Sequence, residues 1–597
     1  MQQVRPDIVL TDRLKRQAVL IDITIPHDEN LVKAEKDKLS KYLDLAHEVT
    51  ALWDVDSTFI VAIVVSVNGL IAKSLDQHLK NLSLDGWVNG PMQKAALLDT
   101  ARIVRRSLQC FVTSGVCLNV GGHGVAIGFA AILLPQLRQP GSLIPIDDSS
   151  GSWIASILGS ALVAGNFIAP TLMANYGRRT ANMVSIIPMI VGWVCVLTAN
   201  SVASLLVARF LQGVSIGMGT TIGPVLIGEY TSPINRGAFL TVISLTIAIG
   251  VLIVHTLGSY LTWQWTALVC CFIAFINLII VIYSPESPSW LTDQGRYEES
   301  KEVFRWLRGD REEAELKEMI EASTIMNESK FEAQISQTFM KKLTANVAYF
   351  NSTIRKKEFY KPIFIMVHIY TLGQWAGASI ITSYTKDIFE NIVGTETNIA
   401  AMIIALDTQR IISNAAALIV IKKIKRRTML FATVGINIIA FLVIAAYVYW
   451  KTRGMLPFDH PFIGIILIHI HMFSIATGTV PLPFIIAGEL FPLEYRSLAG
   501  GISVLFLSSN LFITIKTLPL FLSTIGLPGA YLLYAIVVGY CLIVAGIFLP
   551  ETKDRTLQDI EDEFRGRPLY PDEIKSVQSL TSLNLYNMDR RCSAPVL

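Results

Sequence analysis

Long apolar runs separated by short polar segments fill most of this chain, from residue 109 to residue 549. A helix of about 20 residues crosses a bilayer core of about 30 Å, and twelve of the runs reach that length. Stretches such as CFIAFINLIIVIY lack the polar periodicity of a helix on a soluble domain. Each run is predicted to be a transmembrane helix, because an isolated strand would leave its backbone amides unpaired in lipid. The predicted helices are 109–134, 153–174, 181–199, 202–227, 238–260, 264–283, 362–385, 397–421, 429–450, 461–487, 498–520 and 528–549.

Composition supports a membrane protein. Of the 597 residues, 52% are apolar and only 16% are charged, whereas soluble proteins carry about 25% charged residues. The mean hydropathy is +0.49. The net charge of +3 is too small to indicate a nucleic-acid partner. The seven cysteines lie mostly within apolar runs and form no CxxC, so neither a disulfide framework nor a metal site is expected.

Lysine and arginine are concentrated in alternate loops. The segments YGRRT (176–180), 284–361 and IKKIKRRT (421–428) are rich in them, whereas opposite loops such as ENIVGTETN are poor. Positively charged loops stay in the cytoplasm, so both termini are predicted to be cytoplasmic. The expected location is the plasma membrane.

Three short motifs occur twice, at matching places in two sets of six helices. GRRTAN follows helix two and KRRTML follows helix eight, while SPESPSWL follows helix six and LPETKDRTL follows helix twelve. GEYTSPINRG and GELFPLEYRS follow helices four and ten, each with an arginine seven residues after the glutamate. Two six-helix halves around a central site are typical of secondary carriers. We hypothesise that the glutamate and arginine pair across neighbouring helices, close the cytoplasmic face, and separate when it opens.

These patterns predict an all-α membrane protein with a small soluble N-terminal α/β-like extension. The predicted segments are the extension 1–108, the first half 109–283, the cytoplasmic linker 284–361 with short helices, the second half 362–549 and the cytoplasmic tail 550–597.

The longer motifs resemble a known family. ARFLQGVSIGMGTTIGPVLIGEYTSPINRGAF, PESPSWL, TKDIF, PLPF…GELFP…R and PETK are similar to the sugar-porter branch of the major facilitator superfamily, and within it to insect facilitated trehalose and glucose transporters. The resemblance covers residues 109–560. It implies a facilitative transporter of trehalose or a hexose that works by alternating access, and not an enzyme. It also implies no cofactor. The expected partners are a sugar and the lipid bilayer, with no nucleic acid and no required oligomer.

The resemblance also implies a cytoplasmic charge network. Its matching residues are Arg178, Arg179, Arg209, Glu229, Arg236, Glu286, Glu489, Arg496 and Glu551. The acidic residue that usually opens the GRR loop is Asn175 in the first half and Lys422 in the second, and the glycine of the second loop is Lys425. These departures predict weaker ion pairing and a biased or slow gate.

The positions that the family uses for sugar depart further. The matching residues are Gln374, Ser379, Tyr384, Ser244 and Phe484, and Gly373 replaces a second glutamine. Each lost hydrogen bond to a neutral hydroxyl is worth about 0.5–1.5 kcal/mol, so several losses weaken sugar binding substantially. Two alternatives therefore stay open: the same fold carries a different small solute, or it works as a sugar sensor that does not transport.

Intramembrane polar residues need separate interpretations. Asp407 and Arg410 are three residues apart on one face of helix eight and are expected to form a structural charge pair, although a substrate or coupling site is the alternative. His123 is expected to be a neutral packing residue rather than a proton carrier. Helix one has no Asp or Glu, which favours facilitated diffusion.

The first 108 residues do not follow this plan. They contain short β-like runs, the amphipathic segment ENLVKAEKDKLSKYLDLAHEVTALW and the apolar run TFIVAIVVSVNGLI, which is too short to span. RPDIVL, LIDITIP and KLSKYLDL resemble the endonuclease-like C-terminal end of non-LTR retrotransposon polyproteins. That resemblance implies Mg²⁺-binding acids at Asp7 and Asp22, but Thr24 stands in place of the usual lysine and Lys41 is only a loose substitute. We interpret the segment as a retroelement-like extension from a gene-model fusion, and metal-dependent nuclease activity as the weaker hypothesis.

Overall fold

The computed structural model describes residues 6–566 except 13–15, 25–27, 54, 67–69, 72–73, 76–88, 232, 309–312, 314, 318, 322, 325–352, 395–397, 457, 459, 492–495, 554 and 556. Side chains are described for these residues except at 12, 28, 89–91, 95, 97–107, 233–241, 418, 422, 496–498 and 557–558. The chain forms two compact units, Met1–Gln109 and Cys110–Leu597. Each unit is described by itself.

The first unit contains a three-stranded sheet and two helices. Strand β1 (Ile8–Asp12) pairs antiparallel with β2 (Gln17–Thr24), and β2 pairs parallel with β3 (Ser57–Val64). Helices α1 (Leu31–Lys41) and α2 (Leu43–Leu52) connect β2 to β3, as a parallel pair requires a crossover. The structure confirms the predicted small α/β-like extension, with the single predicted helix divided at Tyr42.

The second unit confirms the membrane architecture. Among the described residues, twelve helices are long and apolar enough to cross a membrane. In chain order, spans 1 to 12 are Leu108–Leu137, Asp148–Tyr176, Arg178–Leu197, Val202–Tyr230, Val242–Tyr260, Trp263–Ile282, Lys357–Ser383, Ile399–Ile421, Arg426–Thr452, Pro461–Leu490, Ala499–Thr524 and Gly526–Phe548. The largest differences from the sequence prediction are at spans 2 and 7, which begin at Asp148 and Lys357 rather than at 153 and 362.

An even number of spans places both ends of the unit on one side, which we call the terminal face. The side that carries the loops between spans 1 and 2 and between spans 7 and 8 is the opposite face. Two linker helices, Pro288–Asp293 and Tyr297–Arg308, follow span 6 at the terminal face. Arg308 donates a hydrogen bond to the backbone oxygen of Glu229 at 3.0 Å, so the second linker helix contacts the end of span 4.

Caps define the starts of spans 2, 4 and 8 at the opposite face. The Asp147 carboxylate accepts the Ser150 amide at 3.1 Å, and the Asn398 side chain accepts the Ala401 amide at 3.2 Å. Ser201 and Ser204 form a capping box at the start of span 4. These bonds satisfy amides that the first turn of a helix leaves without a partner.

Glycines of span 4 allow it to pack closely against span 2. A Cβ on Gly213 would come within 2.5 Å of the Leu158 backbone oxygen, and one on Gly217 would collide with the Leu162 oxygen. Real side chains avoid such contacts, so only glycine allows this approach of the two backbones.

Candidate functional site

A charge network joins spans 3, 4 and 6 at the terminal face of the first half. The backbone amides of Arg178 and Arg179 both donate to the Glu286 carboxylate at 2.9 Å. The Arg178 guanidinium lies 3.3 Å from the Glu229 carboxylate and also donates to the Met173 oxygen at 3.0 Å. Arg178 is 2% exposed and Glu229 is 7% exposed, so this ion pair is largely screened from water.

The second half contains the same network. The amides of Arg426 and Arg427 donate to the Glu551 carboxylate at 2.9 and 3.1 Å. The Arg426 guanidinium donates to Glu489 at 3.0 Å and to the Ile421 oxygen at 2.6 Å. Thr552 donates to Glu489 at 2.6 Å, and in the first half Ser287 donates to Glu229. The motifs that occur twice in the sequence therefore form the same amide–carboxylate hydrogen bonds and the same arginine–glutamate ion pair in both halves.

The two networks differ at the residue before the first arginine. Gly177 has φ of 95°, and a Cβ there would collide with the Glu286 carboxylate. Lys425 occupies the matching place with φ of −63°, which any residue can adopt. The second loop therefore reaches the same bonds by another backbone path, and the expected weakening of ion pairing by Lys425 is not seen at Arg426.

The two capping carboxylates have opposite pKa shifts. Burial raises the pKa of Glu286, with Glu229 adding to the effect, although the amides of Arg178, Arg179 and Ser287 oppose it. Glu551 is more exposed, and although burial acts to raise its pKa, its four backbone N–H donors lower it. The second-half carboxylate therefore keeps its charge at lower pH than the first-half one.

The structure brings together six of the residues predicted for this network. Arg178, Arg179, Glu229, Glu286, Glu489 and Glu551 lie in the two networks. Arg426 and Arg427 were missed, although the KRRTML repeat could have identified them. The side chains of Arg236 and Arg496 lie outside the described residues, so their predicted pairing with Glu229 and Glu489 stays a prediction.

Arg209 is not part of the network, and its placement there was wrong. It lies twenty residues before Glu229 in the same helix, which at 1.5 Å per residue is about 30 Å away. It is 1% exposed and donates to the Ala126 oxygen at 2.5 Å, the Ile154 oxygen at 3.3 Å and the Gln212 side chain at 2.9 Å. Its role is to join spans 1, 2 and 4.

Polar contacts between described side chains join the two halves toward the opposite face. Arg138 pairs with Asp387 at 3.0 Å, and Lys516 of span 11 donates to Ser152 of span 2 at 2.7 Å. A third contact, between spans 5 and 8, is described below. Spans 2 and 11 also touch directly, since a Cβ on Gly159 would lie 2.9 Å from the Phe512 amide nitrogen. This side of the molecule is closed by contacts between the halves.

The contact between spans 5 and 8 changes the interpretation of Asp407 and Arg410. Asp407 lies 2.6 Å from the His255 ring, and both side chains are almost fully buried. Arg410 instead donates to the Thr382 hydroxyl at 2.9 Å. The expected ion pair between Asp407 and Arg410 was wrong: these two described residues are not within ion-pair distance. The i, i+3 spacing gave no sign of His255, which comes from the other half.

Spans 7 and 10 are each interrupted along their length. Span 7 breaks after Trp375, with Gly377 at φ of 101°, and span 10 contains a π-helical turn at Ile475–Thr479. The break frees the Ala376 oxygen, which accepts from Asn437 at 3.1 Å and contacts the His471 ring at 3.0 Å. Interrupted helices at mid-membrane are typical of carrier binding sites, where backbone and polar groups become available to a ligand.

The expected sugar-binding residues divide into two groups. Ser379 donates to Gln374 across the break at 2.8 Å, and Phe484 is half-buried with its ring 5.9 Å from that of Tyr370. Tyr384 is buried, and its hydroxyl donates to the Ile515 oxygen at 3.2 Å, so it positions span 11 rather than facing an open site. Ser244 is half-buried in span 5, eleven residues or about 16 Å along the helix from His255.

Gly373 explains one departure from the family pattern. A Cβ at this residue would lie 3.0 Å from the Thr479 oxygen and 3.3 Å from the Pro483 ring. The π-helical turn of span 10 therefore takes the space of the missing side chain.

His123 of span 1 is buried against Gly219, where a Cβ would be 2.5 Å from the ring, in agreement with the expected packing role.

In the N-terminal unit, Asp7 and Asp22 both bond to other residues of the same unit. Asp7 accepts the Ile23 amide at 2.8 Å, while the buried Asp22 pairs with Lys38 at 2.5 Å and accepts from Tyr42 at 2.7 Å. Burial and the hydrogen bond to Asp22 raise the pKa of Tyr42 to about 12. Lys38, not the proposed Lys41, reaches Asp22. No group of three or more His, Cys, Asp or Glu residues in the described parts of the chain could hold a metal ion.

Comparison with known proteins agrees with this architecture. A family profile described as "Sugar (and other) transporter" matches residues 111–564. The facilitated trehalose transporter Tret1 of Aedes aegypti is 26% identical over 474 residues, covering 78% of this chain and 56% of that protein. The solute carrier family 2, facilitated glucose transporter member 8 of Mus musculus is 25% identical over 483 residues, covering 77% of this chain and 96% of that protein.

Solved structures show the same fold. The proton:xylose symporter XylE bound to 6-bromo-6-deoxy-D-glucose is similar with a TM-score of 0.58 at 16% identity, covering 78% of this chain and 99% of that chain. The inward open conformation of XylE from E. coli gives 0.60 at 16% identity, covering 77% and 99%. A mutant of the peptide transporter POT in complex with sulfate gives 0.51 at 14% identity, covering 74% and 98%. The fold is that of the major facilitator superfamily, and the chain belongs to the sugar (and other) transporter family.

Proposed function

We propose that this protein is a facilitative sugar transporter that works by alternating access, with trehalose or a hexose as the first substrates to test. The observation that carries the proposal is the arrangement of contacts. Each half is braced internally at the terminal face by its own charge network, and the polar contacts described between the halves lie toward the other face. Two rigid halves that touch at one face can rock about the centre.

The duplicated network supports this movement. Each glutamate pairs with an arginine of its own half, so the network can hold three helices of a half together while the halves rotate. This modifies the latch that the sequence predicted: we propose that the described pairs make each half a rigid body. A latch between the two halves would then be formed by Arg236 and Arg496.

The break in span 7 supports a small polar substrate. Gln374, Ser379 and Thr382 bring an amide and two hydroxyls to the same segment, and Phe484 supplies an aromatic ring on span 10. Sugars bind through hydrogen bonds to such groups and through an aromatic face. Relatives named as facilitated trehalose and glucose transporters support the same substrate class.

We also propose that the protein lies in the plasma membrane with both termini in the cytoplasm. The lysine-rich and arginine-rich segments 176–180, 284–361 and 421–428 connect spans in the sequence at their terminal-face ends, and this distribution of charge along the chain supports the orientation. Antibody access to epitope tags at the two ends, before and after permeabilising cells, tests it. Staining of intact cells would contradict it.

The experiment that tests the function is sugar uptake into proteoliposomes that contain the purified full chain. We expect saturable uptake of labelled trehalose or D-glucose that equilibrates without a proton gradient and is unchanged by a protonophore. L-glucose serves as the stereochemical control, and protein-free vesicles set the background.

Other outcomes select the alternatives. Uptake that requires a proton gradient would overturn the facilitative mechanism. Sugar binding without transport, detected by a shift in thermal unfolding, would favour a sugar sensor. The absence of both binding and transport would favour a carrier for another solute.

A further inference from the structure

Arg410 occupies the middle of the membrane. It lies eleven residues from each end of span 8, which runs from Ile399 to Ile421. A charged side chain at this depth is costly and is usually turned toward a partner or a cavity inside the bundle. Its contact with Thr382, which is 3% exposed, shows that Arg410 faces span 7 rather than lipid.

The guanidinium of Arg410 is not neutralised by an ion pair with any described residue. Asp407, the acid one turn earlier, is held at 2.6 Å by His255 of the other half. Within the described part of the chain, Arg410 donates one hydrogen bond, from Nη1 to the Thr382 hydroxyl at 2.9 Å. A guanidinium has five N–H donors and no acceptor, so four donors are left for water or a ligand. The residue is half-buried in the bundle.

Arg410 also borders the polar break in span 7. Its partner Thr382 lies three residues after Ser379 in the short helix Ala378–Ser383, so the two hydroxyls are on one side of that helix. Ser379 in turn donates to Gln374 at 2.8 Å. The cation is thus next to the groups that we propose for sugar binding.

We propose that Arg410 binds the carboxylate of an acidic sugar, and that hexuronates are the preferred substrate class of this transporter. The inference rests on the proposed function and narrows it. A planar guanidinium binds a carboxylate through two parallel, charge-assisted hydrogen bonds, which a neutral hydroxyl cannot form. This gain replaces the amide contacts that are lost where Gly373 stands.

The neighbouring acid provides an opposite effect. The charge of Asp407 lies one helical turn from Arg410 and repels an incoming carboxylate, while its bond to His255 keeps it from pairing with Arg410. Removal of the Asp407 charge should therefore favour the acidic sugar, whereas removal of the Arg410 charge should disfavour it. Two adjacent substitutions with opposite effects are a stringent test.

The experiment compares D-glucuronate with D-glucose, which differ only by the carboxylate at carbon six. Uptake of each is measured in proteoliposomes of the full chain without a membrane potential, and the ratio of their kcat/KM values is the readout. We expect a ratio above one for the unchanged protein. Arg410→Gln should lower it about 10-fold or more, Asp407→Asn should raise it, and Arg410→Lys should fall between. Arg453→Gln, at an exposed arginine after span 9, is the matched control and should leave it unchanged.

Each outcome is informative. Transport of glucose but not glucuronate, or an equal loss of both in Arg410→Gln, would overturn the inference while the proposed function stands. Failure to transport either sugar would overturn both. Transport of glucuronate alone would support the inference and exclude neutral sugars as substrates. If Arg410→Gln does not fold, the ratio in Arg410→Lys and Asp407→Asn decides.

Discussion

The buried contact between His255 and Asp407 should set how often the opposite face opens. The two side chains are 1% and 3% exposed and join spans 5 and 8 of different halves. Opening at this face has to separate them. Asp407→Asn keeps the shape of the side chain but removes its charge. A hydrogen bond to a charged group contributes about 1.5–3 kcal/mol, and 1.4 kcal/mol corresponds to a tenfold change in an equilibrium. The ratio of open to closed molecules should therefore rise about 10- to 150-fold.

Pulsed electron–electron double resonance can measure this population. Spin labels at Leu143 and Asn391 report the separation of the halves, because both residues are exposed at the opposite face and they belong to different halves. The native cysteines are replaced first. In Asp407→Asn the long-distance population should grow, and His255→Asn should give a comparable change. The double variant should change the population no more than either single one, because all three remove the same bond.

A second inter-half pair provides the control. Arg138 and Asp387 are 30% and 20% exposed, and exposed pairs contribute about 0.2–1 kcal/mol. Asp387→Asn should therefore increase the ratio of open to closed molecules only about 1.4- to 5-fold. Equal effects of Asp387→Asn and Asp407→Asn, or unchanged distances in both buried variants, would refute the reasoning.

Four further predictions concern the charge networks and the N-terminal unit. Gly177→Ala should lower the free energy of unfolding by roughly 1–3 kcal/mol, because residue 177 has a φ of 95° and a Cβ there would collide with the Glu286 carboxylate. Lys425→Ala should unfold at the same temperature as the unchanged protein. The lowered pKa of Glu551 means that its carboxylate stabilises the fold above its unfolded pKa, and this stability is lost as the pH falls through the lower folded pKa. Glu551→Gln should therefore flatten the fall in Tm below about pH 5. The raised pKa of Glu286 has the opposite consequence, because ionising this carboxyl as the pH rises destabilises the fold. The Tm of Glu286→Gln, measured relative to the unchanged protein, should therefore be higher at neutral pH than at acidic pH. The same difference in Tm at all pH values would contradict this. Asp22→Ala should leave sugar uptake unchanged, and a loss of uptake at normal protein levels would contradict the separation of the two units.

The sequence predicts the membrane helices well because lipid imposes a simple rule on them. About twenty apolar residues are needed for each crossing, and the chain has few charges to obscure the runs. The repeat of GRRTAN and KRRTML also predicts that the two loops are equivalent, which was enough to identify Arg426 as the counterpart of Arg178. These signals lie within short stretches of sequence, so they can be recognised without knowing how the helices pack.

Contacts between distant segments could not be predicted in the same way. The partner of Asp407 is 152 residues away in the other half, and nothing near His255 identifies it. Arg209 was misplaced because its residue type fits an ion-pair network, while two of its three partners are backbone oxygens that the sequence does not distinguish. The same limit applies to Tyr384, whose hydroxyl is taken by the Ile515 oxygen.

The carboxylates of Glu286 and Glu551 have a consequence for how this protein can be divided. Each accepts the first two amides of a helix more than a hundred residues earlier in the chain, at Arg178–Leu197 and Arg426–Thr452. The hydropathy boundaries at 283 and 549 would separate both helices from these acceptors. Co-expressed fragments should therefore reassemble only when the first extends through Ser287 and the second through Thr552. As a unit of folding, a half includes the short polar segment that follows its last apolar helix.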